Sequence, residues 1–176
     1  MARQTFEPAL VYRVFFLYVE PLATVIGAFA AAFQQKLYLE LTHFPTAPRG
    51  SIPISNSVVL NQLANLYFLF AINEGLVLRS TSDVKVWRAI IIALLIADLG
   101  HIWSVHPLGY SIYWDVTNWN TIDWGNLGFV YLGALIRTSF LIQTSSKKIL
   151  SQEHGNQLET PRRSSRKTKP TQKLKE

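Results

Sequence analysis

The chain has 176 residues, enough for one domain, and only 16% of them are charged, against about 25% in an average soluble protein. It contains no cysteine, which excludes disulfides, zinc–thiolate sites and a cysteine nucleophile. Residues 1–144 hold eight Lys or Arg and eight Asp or Glu, whereas residues 145–176 hold nine Lys or Arg and three Glu. The net charge of +6 therefore lies in the tail, and a body that binds nucleic acid is not expected.

Four apolar stretches each approach the roughly 20 residues that are needed to cross about 30 Å of hydrocarbon. They lie at about residues 9–33, 58–78, 86–105 and 124–142. The segment AIIIALLIADLGHIW is apolar on all sides, whereas a surface helix of a soluble bundle has a polar face. The sequence therefore predicts an all-α integral membrane bundle of four transmembrane helices over residues 1–144.

The first stretch resembles a signal peptide only in position. It has no short apolar core followed by a small-residue cleavage site, so we expect it to be retained as a helix. Glu20 and Pro21 stand in its middle, and the proline predicts a kink because it removes a backbone donor.

The distribution of Lys and Arg predicts the orientation of the bundle. Positive residues flank the first helix, fill the second connection at Arg79, Lys85 and Arg88, and follow the fourth helix. The third connection, at about residues 106–123, has none. We therefore expect both termini to face the cytosol, in the endoplasmic reticulum or another endomembrane.

The two remaining segments are read from their composition. The third connection, HPLGYSIYWDVTNWNTIDWGN, is rich in Trp and Tyr, which gather at membrane interfaces, and it predicts an aromatic lumenal cap folded onto the bundle. Residues 145–176 are polar and basic without apolar periodicity, which predicts a disordered cytosolic tail.

Ionisable side chains inside a membrane are costly and usually face the interior of a bundle. Asp98 and His101 lie one helical turn apart on the same face, which makes them the best candidate acid/base pair. Glu74 is the second candidate acid. The predicted catalytic residues are thus Glu74, Asp98 and His101, with no metal or organic cofactor.

Further polar and aromatic residues are predicted to bind a substrate. They are Glu20, Asn65, Asn73, Trp114, Asp115, Asn118, Asp123, Trp124 and Arg137. Several have a structural alternative: Arg137 is within reach in depth of Glu74 and Asp98 as an ion-pair partner, and Glu20 can bond backbone groups freed by Pro21. The Trp residues are more often interface anchors than ligand-stacking groups.

The sequence also resembles a known family over about residues 8–144. The residues that carry the likeness are Asn73-Glu74, Arg79-Ser80-Thr81, Asp98-x-x-His101, and the block from Trp114-Asp115 to Trp124-Gly125-Asn126. They resemble a fungal family of small multi-pass membrane proteins with a domain of unknown function. That family is similar, in helix count, intramembrane acids and aromatic pockets, to emopamil-binding-protein-type sterol isomerases and fungal membrane terpene cyclases. The resemblance implies that Glu74, Asp98 and His101 donate and relay protons.

Three hypotheses about function follow. The first is a membrane-embedded acid/base enzyme that isomerises, opens, hydrolyses or cyclises a sterol, terpenoid or polyketide epoxide, with fungal secondary metabolism as its setting. The second is a non-catalytic membrane protein that binds lipid or sterol or assists assembly, with its acids ion-paired to Arg137 and no accessible cavity. A transporter ranks third, because four helices without a repeat are few. The oligomeric state stays open.

Overall fold

The computed structural model describes residues 6–159, with side chains up to residue 146, and every regular element in that part is helical. Five helices follow one another: α1 (Leu10–Phe33), α2 (Gln35–His43), α3 (residues 54–77), α4 (Val84–Ser104) and α5 (residues 121–159). Three segments are long and apolar enough to cross a membrane, namely Leu10–Phe33, Val84–Leu108 and Thr121–Ser146. The predicted all-α architecture is confirmed, and three of its predicted spans are helices fit for a membrane.

The predicted second span corresponds to α3, which is not among the three. Its 19-residue α-helical part and 5-residue π turn give it sufficient length at about 1.5 Å per residue. Its apolar character is diluted by six amide and acid side chains, which are Asn56, Asn61, Gln62, Asn65, Asn73 and Glu74. Hydropathy therefore does not establish a fourth span.

Helix α2 lies in the connection between the first two predicted spans and was not expected. The chain leaves the helical conformation at Gln34, where φ is −117° and ψ is 39°, and then forms α2. A 3₁₀ turn at Phe44–Thr46 and a proline-rich segment follow before α3 begins.

The bundle has two apolar regions of different character. The aromatic core consists of Tyr12, Phe15, Phe16, Leu78, Trp87, Ile91 and Phe140. Several of its ring pairs meet edge to face, for example Tyr12 and Phe140 with centroids 5.3 Å apart. The alanine seam consists of Ala28, Ala31 and Ala64, where small side chains let α1 and α3 approach closely.

Three π-helical turns interrupt the long helices: Phe15–Val19 in α1, Asn73–Val77 in α3 and Trp124–Phe129 in α5. Pro21, where a kink was predicted, comes two residues after the first of them. Because Pro21 has no N–H, the carbonyl of Leu17 lacks its partner from the next turn. Arg79 Nη2 donates to this carbonyl at 2.6 Å instead. The side chain that satisfies the freed backbone is therefore Arg79 and not Glu20.

Helix α5 is described past residue 145, the predicted start of the disordered tail, as far as Glu159, the last residue that the structure describes. Residues 145–159 contain no proline and only one glycine, so nothing in them forces the helix to end. The predicted tail from residue 145 stays a prediction. The rest of the predicted tail, residues 160–176, lies outside the described residues.

Candidate functional site: a buried ion cluster

Four helices each bring one charged side chain to the interior. Glu20 of α1, Glu74 of α3, Asp98 of α4 and Arg137 of α5 are exposed by 5%, 0%, 9% and 2%, respectively. We call these four residues the ion cluster. Arg137 Nη1 donates to Asp98 Oδ2 at 2.6 Å, and Nη2 donates to Glu20 Oε1. One guanidinium thus joins α1, α4 and α5.

Glu74 is held differently from the other two acids. Its Oε1 lies 3.8 Å from Arg137 Nη2, too far for a hydrogen bond. Within residues 6–146, neither of its buried carboxyl oxygens has a hydrogen-bond partner. Glu20 and Asp98 are its carboxyl neighbours. Three carboxyl groups therefore surround one guanidinium, and Glu74 is the acid to which that guanidinium donates no hydrogen bond.

Local sequence explains how Arg137 fits into the interior. Gly133 lies one turn before it in α5, and a Cβ added at Gly133 would lie 2.5 Å from Arg137 Nη1. Glycine at this position leaves the space that the guanidinium occupies. Glu74 lies within a π turn, and Glu20 follows one directly, which is typical of functional positions in helices.

His101 does not join the ion cluster, although it lies one turn from Asp98. Asp98 bonds Arg137, whereas His101 lies beside Asn126 and 6.5 Å, between ring centroids, from Tyr67. The Tyr67 hydroxyl is 3.4 Å from that of Tyr38. Within the described part of the chain, the buried Nε2 of His101 has no hydrogen-bond partner.

His101, Tyr67, Tyr38 and Asn126 form a second polar group. Tyr67 and Asn126 were not predicted from the sequence as site residues. Tyr67 precedes Glu74 by seven residues and therefore lies on the same face of α3, a spacing the sequence contains. Asn126 lies in the third π turn, and no pattern in the sequence predicted that turn.

Residues 8–147 match a domain of unknown function, DUF7704. The match spans most of the chain. The chain belongs to the DUF7704 family. The prediction that the chain belongs to a family with a domain of unknown function is confirmed. The matched range, 8–147, is close to the predicted range of about 8–144. No curated protein and no solved structure matches the chain.

The aromatic connection of the DUF7704 domain, residues 105–120, does not deliver its predicted ligand-binding residues to the ion cluster. The Trp114 side chain is 67% exposed. Asp115 accepts hydrogen bonds from Asn118 at 2.7 Å and Thr117 at 2.9 Å, which lower the pKa of Asp115 below its ordinary value. Asp115 and Asn118 therefore close a turn within the connection.

Asp123 and Trp124 belong to the start of α5. Asp123 Oδ2 accepts from the Asn120 backbone N–H at 3.0 Å, and the Asn120 side chain accepts from Asp123 in return, which forms a capping box. Asn120 Nδ2 also donates to the Leu41 carbonyl at 2.7 Å and so ties the connection to α2. Trp124 is 54% exposed and packs edge-on against Trp119. The connection does fold onto the bundle, as its composition predicts.

The two remaining predicted binding residues, Asn65 and Asn73, take no part in the hydrogen bonds of the ion cluster. Asn65 is exposed on α3, and Asn73 is half-buried at the start of the second π turn. Among the described residues, no group of three His, Asp or Glu side chains is arranged to hold a metal ion.

Two surface grooves lie on the bundle. One is at the junction of α1 and α2, lined by residues 32–37 and Ile52. The other, about 570 Å³, lies between α4 and α5 and is lined by Leu95, Leu99, Tyr131, Ala134, Leu135 and Thr138. None of the four ion-cluster residues lines either groove.

Proposed function

We propose that this DUF7704 protein is a membrane-embedded acid/base enzyme for a lipophilic substrate and that Glu74 is its proton donor. The observation that carries the proposal is the excess acid: Glu74 is fully buried, without a hydrogen bond, beside a guanidinium already bonded to Glu20 and Asp98. A scaffold that needed only charge pairing would not require a third carboxyl group. The substrate class is a sterol, terpenoid or polyketide, since the site lies in an apolar bundle.

The chemistry follows from charge balance. If all three acids were ionised, the ion cluster would carry two uncompensated negative charges, which is very unfavourable in hydrocarbon. A proton retained on the cluster reduces that cost and is available for transfer from a Glu74 oxygen to an alkene carbon or an epoxide oxygen. Loss of a proton from the resulting cation to a base such as His101 Nε2 completes an isomerisation or cyclisation. Attack by water on a protonated epoxide completes a hydrolysis.

This proposal changes the roles expected from the sequence. Asp98 was the leading acid, paired with His101. Its hydrogen bond to Arg137 instead suits a fixed negative charge that positions the guanidinium. The likeness to sterol isomerases and membrane terpene cyclases supports the reaction class by analogy. Fungal secondary metabolism belongs to the proposal as its setting.

The test compares Glu74→Gln with Glu40→Gln in purified membranes. Glu40 lies on α2 and, among the side chains that the structure describes, forms an ion pair only with Lys36, so it is the matched control. Untargeted mass spectrometry of a producing strain, with and without the protein, identifies the product. We expect Glu74→Gln to lower its formation by roughly 100-fold or more, with an unchanged yield of monodisperse protein, and Glu40→Gln to leave it unchanged. Unchanged product formation in both Glu74→Gln and Asp98→Asn rejects the enzyme.

A second function is supported by a different observation. Arg137 bonds acids on two other helices, and neither described groove is lined by those acids, which suits a non-catalytic membrane protein that binds lipid or sterol or assists assembly. The double variant Asp98→Arg, Arg137→Asp separates the two functions. Recovery of folded protein and of the cellular role in this variant favours the non-catalytic one.

We also propose that α3 crosses the membrane as a fourth span and that both termini are cytosolic. Arg79 bonds the Leu17 carbonyl of α1, and Arg88 bonds the Leu141 carbonyl of α5 at 3.0 Å, so the basic second connection lies at the end of the bundle that holds the start of α1. An inserted Asn-x-Ser/Thr sequon is expected to be glycosylated in residues 105–120 and not in residues 79–83 of endoplasmic reticulum membranes. The reverse pattern contradicts this topology.

A further inference from the structure

Helix α3 has two faces of different character. Its buried face holds Leu60, Ala64, Ala71 and Glu74, and Ala64 packs in the alanine seam against α1. The opposite side of the helix, which we call the open face, is exposed. Its residues are alternately four and three positions apart, and they are Val58, Gln62, Asn65, Leu69, Ile72 and Leu76. The described helices of the chain therefore leave the open face uncovered.

The position of a residue along α3 gives its depth, because we propose that α3 crosses the membrane. The 19 α-helical residues and the 5-residue π turn of α3 span about 35 Å at about 1.5 Å per residue. This length slightly exceeds the roughly 30 Å of hydrocarbon in a bilayer. Asn65 lies next to the midpoint of residues 54–77, and Gln62 lies about 5 Å from it along the helix. Two exposed amide side chains are therefore expected in the middle of the bilayer.

Gln62 and Asn65 have unpaired amides in the part of the chain that the structure describes. Within residues 6–146, no hydrogen bond involves either side chain, whereas the neighbouring Asn61 Oδ1 accepts one from Gln35 Nε2 at 3.2 Å. An amide in hydrocarbon without a hydrogen bond is strongly disfavoured. Acyl chains have no donor or acceptor, and lipid headgroups stay at the membrane surface. A partner that covers the open face at this depth therefore has to carry polar groups of its own.

The spacing and the chemistry of the open face together select a second copy of α3 as that partner. Residues that are alternately four and three apart repeat every 3.5 positions on average, which is the pattern along which two helices pack. Two copies inserted with the same topology are related by a two-fold axis along the membrane normal, so each residue meets its equivalent at the same depth. An amide both donates and accepts hydrogen bonds, so each of the two amides is complementary to its own equivalent.

We propose that this protein forms a homodimer through the open face of α3, with the Asn65 side chains of the two copies hydrogen-bonded to each other in the middle of the membrane. Interhelical amide hydrogen bonds of this kind favour the association of transmembrane helices. The ion cluster lies behind the buried face of α3, so the dimer leaves it enclosed. This inference rests on the proposed fourth span and does not depend on the proposed enzyme activity.

The first experiment maps the contact by disulfide cross-linking, because the chain has no cysteine of its own. The full chain is oxidised in membranes with copper phenanthroline, and linked dimers are resolved by non-reducing electrophoresis. Leu69→Cys and Ile72→Cys lie on the open face, and Ile96→Cys, at a 65% exposed position of α4, reports random collision in the bilayer. We expect linked dimer from the two open-face variants and only a background amount from Ile96→Cys. Equal cross-linking at all three positions overturns the interface.

The second experiment tests the central amide. Energy transfer between dyes on Glu7→Cys, an exposed position before α1, gives the dimer dissociation constant in phosphatidylcholine vesicles over a range of protein-to-lipid ratios. Asn65→Leu removes the amide at an exposed position, where leucine is easily accommodated. Asn61→Leu is the matched control, since the Asn61 amide is bonded to Gln35. We expect Asn65→Leu to raise the dissociation constant about tenfold and Asn61→Leu to leave it nearly unchanged. An unchanged constant in Asn65→Leu, or a chain that is monomeric at every ratio, overturns the proposal.

The proposals fail in different ways. A monomeric chain that is glycosylated at a sequon inserted in residues 105–120 rejects the dimer and keeps the fourth span. Glycosylation in residues 79–83 instead rejects the fourth span and the dimer with it. Glu74→Gln leaves the open face intact, so its cross-linking through Leu69→Cys should match that of the unaltered chain whether or not turnover is lost.

Discussion

The ion cluster and the segment formed by the aromatic connection and the start of α5 both contain acids, yet the acids of the two regions are satisfied in opposite ways. Glu20 and Asp98 lie 117 and 39 positions from Arg137 along the chain, each on another helix, and they meet it in the interior of the bundle. Asp115 and Asp123 bond groups within three residues of themselves. An acid on an apolar helix must find a distant partner, whereas an acid in a connection finds the nearest backbone or amide.

The largest effect is expected when the centre of the ion cluster is removed. Arg137→Leu leaves three buried carboxyl groups without a cation, and loss of one partner from a buried pair costs roughly 3–5 kcal/mol. We expect little monodisperse protein after detergent extraction, measured by size-exclusion chromatography. Arg49→Leu, at an exposed position, is the control and should behave like the unaltered chain. Normal yield of Arg137→Leu contradicts a charge-dependent interior.

The second prediction separates the acids within the ion cluster. Asp98→Asn weakens a charge-assisted hydrogen bond and should cost about 1.5–3 kcal/mol, whereas Glu74→Gln removes none and should cost less than about 1 kcal/mol. The apparent Tm, followed by tryptophan fluorescence, gives the order. Equal destabilisation by the two substitutions would show that Glu74 is held as firmly as Asp98.

The third prediction concerns the local bonds of the aromatic connection. Asn120→Ala removes the cap of α5 and the bond to the Leu41 carbonyl, and a lost N-cap costs about 1 kcal/mol. Thr121→Ala, at the next position, makes no such change and serves as the control. A lower apparent Tm for Asn120→Ala alone is expected, and no difference between the two variants would deny the cap a role in stability.

The smallest effect is expected from Asp115. Because its hydrogen bonds to Asn118 and Thr117 favour the carboxylate, its pKa in the folded protein lies below that of the unfolded chain. Its contribution to stability is therefore present above the unfolded-chain pKa and is lost as the pH falls through the lowered pKa. NMR titration of the Asp115 carboxyl carbon in detergent should give a pKa below about 3.9, and Asn118→Ala should raise it. An ordinary pKa in both proteins contradicts the turn.

Much of the helical framework could be predicted from the sequence, because the hydropathies of about 20 consecutive residues add up to a clear average for each apolar stretch. The predicted start of the first helix at residue 9 is one residue from Leu10. Helix α2 was missed because its nine residues are too few for a clear periodic pattern. The status of α3 could not be decided, because its amide and acid side chains lower the same average hydropathy that identifies a span.

The site residues that could be predicted from the sequence are the ionisable ones, because burying a charged side chain in a membrane is costly. Intramembrane charge singled out Glu20, Glu74, Asp98 and Arg137, and these four do meet. The rotation of each helix about its axis was not predictable. A π turn changes which residues face the interior of the bundle, and a hydropathy pattern does not predict where π turns occur. For the same reason His101 was assigned to Asp98 and not to Asn126.

Pro21 and Arg79 form a complementary pair although 58 positions separate them along the chain. The imino acid opens a gap in the hydrogen-bond ladder of α1, and the guanidinium from the end of α3 closes it. The start of the second connection is thereby joined to α1 by a side-chain hydrogen bond. Restoring an amide with Pro21→Ala would make this hydrogen bond redundant and free the arginine for water.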